Sequence, residues 1–343
     1  MFSNIFSIKH IHLIVMDFLF SRFPGLLMIF PAIVIGCSPH VLPEEEPTQC
    51  SQSIVRYFKK LGEPVFKGGG TLDILTFEDD RLMRLDSYLR FDEFQDMNAY
   101  AESTGGDKIF FLCANSRKDR FGWSDIRSYH SLRETTLDLE DESISFPLMT
   151  GECRTKAGGI DGEAQLSPAA CKIRLERISC DFSGTPYAGK KITEARAYLT
   201  NVNATCRLLQ KDSDPPMRII NSGQLNEFEI KNFDHKEAIV QTIADEIGTS
   251  PLNPEAEFLC YPNTAEFPTR LVIEGRIGSE LWYWPITIED GLGGPRKGYI
   301  YSYDIHIRRK GTDSPDIPVE IKEIEIGINI RSWKETTDCS VRF

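Results

Sequence analysis

Between Tyr299 and Arg308 the chain alternates strictly. Tyr299, Tyr301, Tyr303, Ile305 and Ile307 fall on one side of an extended backbone, with Ser302, Asp304, His306 and Arg308 on the other. Ile324, Ile326, Ile328 and Ile330 repeat the pattern against Glu325, Gly327, Asn329 and Arg331. A period of two with one apolar and one wet side marks strands of antiparallel sheets packed on one face. Nothing else in the sequence restricts the fold as strongly. Arg270 to Arg276 and Leu281 to Ile288 also read as strands, and turns at about 10-residue spacing point to packed sandwiches.

The first half carries the same signal. Thr71 to Phe77 nearly alternates, and Lys108 to Ala114 is a continuous apolar run of the kind buried on both faces. Cys171 to Leu175 alternates, Glu176 and Arg177 break the phase, and Ile178 to Cys180 resume it, which predicts a β-bulge. Ile192 to Leu199 and Thr205 to Leu209 continue the series. Helix is expected in two places. Asp234 with Glu237 forms a capping pair, Ile239, Val240, Ile243 and Ile247 form a stripe, and Gly248 follows as a stop, predicting a helix over Asp234 to Ile247. A shorter helix is expected from Ser53 to Leu61, with Ile54, Tyr57, Phe58 and Leu61 on one side. The fold class is therefore all-β with minor helix. The charged, Pro-broken stretch Lys211 to Pro216 is the expected junction. It divides the chain into 66–210, an N-terminal β-sandwich, and 211–343, a C-terminal β-sandwich.

Before these strands lies a different signal. The 14 residues from Phe23 to Gly36 are apolar and end in Ile35-Gly36-Cys37, followed by the polar tether Ser38 to Pro47. This resembles the lipobox of bacterial lipoproteins, in which a small residue at the cut precedes a cysteine that carries diacylglycerol. The run is short of the roughly 20 residues that span a bilayer and has the length of a signal h-region. A transmembrane anchor or a core helix is the competing reading. Lys9 and Arg22 are positive but Asp17 lies between them, and initiation at Met16 would give a more usual signal length. The expectation is a signal peptide over 1–36, lipidation at Cys37, a tether over 37–65, and an exported domain tethered by lipid to a membrane surface.

A net charge of −12 argues against nucleic acid, whose binding depends on neutralising phosphates. Nine cysteines include Cys37. No CxxC occurs, and Cys113, Cys171, Cys206 and Cys260 sit inside apolar strand-like runs. Most are expected as buried thiols, with one or two bridges allowed in an exported protein.

The catalytic search is nearly empty. His40, His130, His235 and His306 have no ligand spacing, and HExxH, GxSxG, phosphate-loop and EF-hand patterns are absent. Gly68-Gly69-Gly70 and Gly291 to Gly294 precede strands and read as turns. No catalytic residue, metal site or cofactor is expected, and no enzymatic activity. Trp282 and Trp284 share one strand face. They read either as core or as an aromatic platform on which a glycan could stack.

The order of segments resembles the fimbrillin superfamily of Bacteroidales, the subunits and anchors of type V pili, across essentially all of the exported chain. The resemblance rests on the lipobox, the strand Thr71 to Phe77, Ile109 to Asn115, Met149-Thr150-Gly151, Leu166 to Leu175, Ile192 to Val202, Leu271 to Gly275, Tyr283-Trp284-Pro285-Ile286, Tyr299 to Gly311 and a last strand ending Arg331-Ser332-Trp333. It implies two tandem transthyretin-like antiparallel sandwiches, export as a lipoprotein, and assembly with other fimbrial subunits by strand exchange. In that family an Arg-specific protease removes a first strand, so residues 37–65 would include a pro-segment. Arg56 is a cleavage candidate, with Arg81, Arg84 and Arg90 as competitors. The donor-strand region would be the tail around Val341 and Phe343. Only about ten residues follow Trp333, one short strand at about 3.3 Å per residue. That favours a tip or accessory subunit that accepts a strand, with an adhesive role toward a host or bacterial surface receptor. An anchor that keeps its lipid, or a surface glycan-binding lipoprotein, are the alternatives.

Overall fold

The computed structural model describes residues 51–59, 70–94, 99–117, 122–157, 163–264, 266–289, 293–319, 324–332 and 339–342. They form β-strands in several sheets with one short α-helix. The all-β reading is correct.

The most buried sheet of the first half has the order β3-β2-β5-β7-β9, built from Leu85–Phe94, Gly70–Glu78, Lys108–Ala114, Met149–Thr155 and Ser167–Pro168. Every residue of β5 is buried, as its unbroken apolar run predicts. The alternation of β2 sorts its side chains between two cores. Leu75 and Phe77 point with Ile109, Phe111 and Cys113 into the main core, where Trp123 and Tyr129 meet them. Leu72 and Ile74 point with Phe110, Leu112 and Met149 into a second, smaller core. A helix, α1 (Tyr129–Glu134), closes part of the main core. Ser128 caps it by accepting from the Ser131 backbone N–H, while Ser131 answers with its hydroxyl.

The second half forms two sheets. One has the order β15-β10-β18-β19 (Ala256–Cys260, Cys171–Cys180, Tyr299–Ile307, Ile324–Ser332). The other has the order β14-β11-β16-β17 (Val240–Ile247, Ile192–Thr200, Arg270–Ile277, Glu280–Thr287). All pairs in them are antiparallel except β10 with β18, which run parallel. The inner faces meet through Ile173, Tyr301, Tyr303 and Ile305 on one side and Ala197, Leu199, Ile273 and Trp284 on the other. Burying an aliphatic such as Ile305 contributes roughly 1.5–3 kcal/mol each time. The bulge expected at Glu176-Arg177 is there: the β10–β18 register shifts between Leu175 and Arg177.

Two expected helices are strands. Residues Asp234 to Ile247 contain only a 3-10 turn at Lys236–Ala238 before β14. Asp234 is engaged with Arg117 at 2.6 Å. Val240, Thr242, Ile243 and Ile247 are β-branched and lose rotamer freedom in a helix, and pairing with β11 rewards the extended state. The segment Ser53 to Leu61 likewise gives way to β1, Ser51–Lys59.

The expected junction at 210/211 lies inside the connection between β12 (Val202–Arg207) and β13 (Arg218–Ile220), which pair with each other. Strands β10 and β11 precede it, yet their partners β14, β15, β16 and β18 follow it. On the other side β12 pairs with β6, Thr136–Asp138. Residues Thr48–Phe343 accordingly pack as one unit.

Candidate functional site

The remaining sheet brings the two ends of the described chain together. Its order is β4-β1-β20-β8, where β4 is Ala99–Ser103, β8 is Glu163–Gln165 and β20 is Cys339–Arg342. Strand β1 is used twice: its residues Ser51 to Val55 pair with β4, and Arg56 to Lys59 pair with β20. Strand β20 is therefore central, with β1 on one side and β8 on the other, all antiparallel.

Ala164 of β8 is fully buried in the smaller core with Leu72, Ile74, Phe110 and Leu112. The sheet of chain ends thus lies over the apolar face that β2, β5 and β7 present. Those four large side chains have at most 1% exposure, so the face is closed. In register, Val341 stands opposite Tyr57 on one side and Ala164 on the other. Arg342 stands opposite Arg56 and Glu163.

The opposite face of β2 carries a polar cluster. Asp73 is fully buried, and Arg90 Nη1 lies 3.0 Å from both of its carboxylate oxygens. Tyr88 donates to Asp73 Oδ1 at 2.8 Å, and the Ser116 hydroxyl donates to Oδ2. A buried charge held by this many donors is a structural clasp between β2, β3 and the end of β5.

The site residues expected from sequence scatter. Arg56 and Val341 come together in the sheet of chain ends. Cys37 and Phe343 lie outside the described residues. Arg81 and Arg84 are exposed between β2 and β3, whereas Arg90 is tied to Asp73. Trp284 is fully buried, its indole N–H donating to the Arg309 carbonyl at 3.1 Å. Trp282 packs half-buried against the main core, and the Lys310 ammonium sits 4.4 Å from its ring centroid. Residues 282 and 284 share the face that turns inward.

Sequence reasoning missed β8, β4 and the strand nature of β1. Ala164 and Leu166 flanking Gln165 were the only local sign of β8.

Polar chemistry elsewhere is sparse. Among the described residues no group of three or more His, Cys, Asp or Glu is placed to hold a metal ion. His306 Nδ1 is 2.8 Å from the Ser179 hydroxyl, and His235 is 3.0 Å from Glu237. Glu142 lines a cavity of about 200 Å³ with Asn115, Asp138, Asp141 and Tyr261. It accepts from the Leu148 backbone N–H at 3.0 Å and the Tyr261 hydroxyl at 3.2 Å. Burial pushes its carboxyl up to about 7, and those two donors pull the other way.

No protein-family model matches the chain, and no curated protein matches it in sequence. Solved structures do share its fold. One, described as a candidate cell adhesion protein from Bacteroides eggerthii, superposes with a TM-score of 0.62 at 16% identity, over 83% of this chain and 97% of that one. Another so described, from Parabacteroides distasonis, gives 0.59 at 14% identity, over 83% and 97%. A fimbrilin from Porphyromonas gingivalis gives 0.55 at 10% identity, over 81% and 94%. At these identities the likeness is one of fold.

Proposed function

We propose that this chain, which shares its fold with a fimbrilin, is a structural component of surface fimbriae. Its role is that of an accessory or tip subunit that accepts a strand from a neighbour. The observation that carries this reading is the sheet of chain ends closing an apolar face of the first half. Strands β1 and β20 belong to opposite ends of the chain, and either can leave without moving β2, β5 or β7. A vacated position would leave unpaired N–H and C=O groups beside the apolar face, which is what an incoming extended segment needs. Alternate side chains meeting that face would set its register.

Export as a lipoprotein with diacylglycerol on Cys37, residence at the outer membrane surface, and contact with a surface receptor belong to the same proposal. Val341 and Phe343 form its donor-strand region.

The maturation cut proposed is at Arg56. No arginine lies between Arg56 and Arg81. A cut at Arg81, Arg84 or Arg90 would take away β2, the strand between β3 and β5. Only Arg56 allows an Arg-specific protease to trim β1 and spare that sheet. Arg56 is nevertheless inside a paired strand, and this favours a second reading: an uncut anchor that keeps its lipid.

The test incubates the exported protein with an Arg-specific protease and follows mass and N-terminal sequence. A synthetic peptide of residues 334–343 is then offered as donor. A cut after Arg56, a folded remainder and capture of the peptide are expected. A trimmed protein that unfolds and captures nothing rejects the accepting subunit. Resistance to the protease with the lipid retained selects the anchor.

A further inference from the structure

Strands β10 and β15 run antiparallel with Cys171 opposite Cys260, Ile173 opposite Phe258 and Leu175 opposite Ala256. These six residues share the inward face, and all belong to the main core. Both cysteines have 0% exposure and are thiols in the structure. Directly opposed residues of an antiparallel pair have Cα atoms about 4.5–5.5 Å apart. A disulfide spans about 4.4–6.8 Å. The Cα spacing therefore lies within the range a disulfide spans.

We propose that Cys171 and Cys260 close a cross-strand disulfide when the chain folds in contact with a thiol–disulfide oxidant. One cysteine, as thiolate, attacks a sulfur of the oxidant's disulfide and expels its partner as a thiolate. The thiolate of the other cysteine then attacks the mixed disulfide, forming the Cys171–Cys260 bond and expelling the second oxidant sulfur. Two thiol protons are released, and two electrons reduce the oxidant to its dithiol form. Closure happens during folding, because the finished core seals both sulfurs from solvent. The bridge ties the edge strand β15 to β10 around the loop of residues 172–259, which contains β11 and β14. Export supplies the oxidising compartment, but the pairing itself follows from the fold and is testable apart from location.

Cys206 of β12 is the competing partner, buried near enough to act on the Cys171 thiol. Trypsin separates all three, placing Cys171 in peptide 157–172, Cys206 in 197–207 and Cys260 in 237–270. The reduced, denatured chain is refolded in a mixture of reduced and oxidised glutathione, alkylated and digested. The expected product is peptide 157–172 joined to 237–270, two hydrogens lighter than their sum. The thermal midpoint should rise by roughly 5–10 °C over the same protein kept reduced by excess thiol. Cys171→Ser and Cys260→Ser each abolish the bridge, and Cys206→Ser leaves it. Should a serine variant fail to fold, the peptide map of the unaltered chain decides alone. Both sulfurs alkylated in refolded protein, or either joined to peptide 197–207, overturns the pairing.

Discussion

Tyr57 and Val341, near opposite ends of the chain, are Cα partners in the antiparallel pair of β1 and β20. Because β20 is flanked on both sides, each of its backbone N–H groups is directed at one neighbour or the other. Val341→Pro removes one donor and leaves the matching acceptor unpaired. At about 1 kcal/mol net per bond, amide exchange should quicken at least about fivefold for residues 57–59 and 163–165. The sheets containing β10 and β11 should keep their protection. Unchanged exchange in both flanking segments would show that β20 does not hold them together.

Asp73 and Arg90 form a different kind of contact, a charge pair sealed against β2. The Arg90 side chain is only 12% exposed, so removing the carboxylate leaves a largely buried guanidinium with Asp92 as its remaining carboxylate. Asp73→Ala should cost about 3–5 kcal/mol, read as a lower urea midpoint. Replacing both partners at once, Asp73→Leu with Arg90→Met, should cost less than Asp73→Ala alone. A double variant weaker than the single one would mean that the pair stabilises through more than mutual neutralisation.

The alternating strands were legible because each has one wet face. β18 and β19 keep their period over whole lengths, and β5 shows burial on both faces as an unbroken apolar run. β14 was not legible. Its register against β11 shifts between Ala195 and Arg196, so Ile243 and Ala244 both pack against the core and the period of two is lost. What remained, Ile239, Val240, Ile243 and Ile247, mimics helical spacing. The pairing of residues 56–59 with 339–342 had no local signature at all, because backbone groups at distant positions supply it. Trp282 and Trp284 were placed correctly on one face, but a strand's period cannot say which face turns inward.

Gly311 sits where one chain segment crosses the edge of the second-half sheets. Tyr283 of β17 and Thr312 exchange backbone hydrogen bonds at 3.0 and 2.8 Å. A Cβ built on Gly311 would run into the Tyr283 carbonyl and stand 3.1 Å from the Trp284 ring. Both obstacles are held, the first in a strand and the second in the core. Gly311→Ala should therefore cost about 1–3 kcal/mol and speed exchange of the Tyr283 amide. A variant as stable as the parent would mean that residues 309–312 can lift away freely.

Glu142 gives the chain a pH dependence whose sign is fixed. Burial raises its carboxyl to about 7 in the folded chain, against the usual value near 4.3 once unfolded. Between those values the folded state binds more protons than the unfolded one, so stability falls as pH rises through the window. Below about pH 4 the group contributes no difference, and above about pH 7 the full penalty for a buried charge is present. That penalty is roughly 4 kcal/mol, from about 1.4 kcal/mol per unit. Asp138, Asp141 and Lys297 lie near enough to modulate it, but Glu142→Gln removes the titration while keeping an acceptor for the Leu148 N–H and presenting its amide N–H to the Tyr261 hydroxyl oxygen. Other groups titrate in the same range, so the informative quantity is the difference in urea unfolding free energy between Glu142→Gln and the parent. It should move in favour of the variant by a few kcal/mol between pH 5 and pH 8. A difference that stays constant over that range would mean Glu142 keeps its charge in the folded protein, and that water or a counter-charge reaches the cavity.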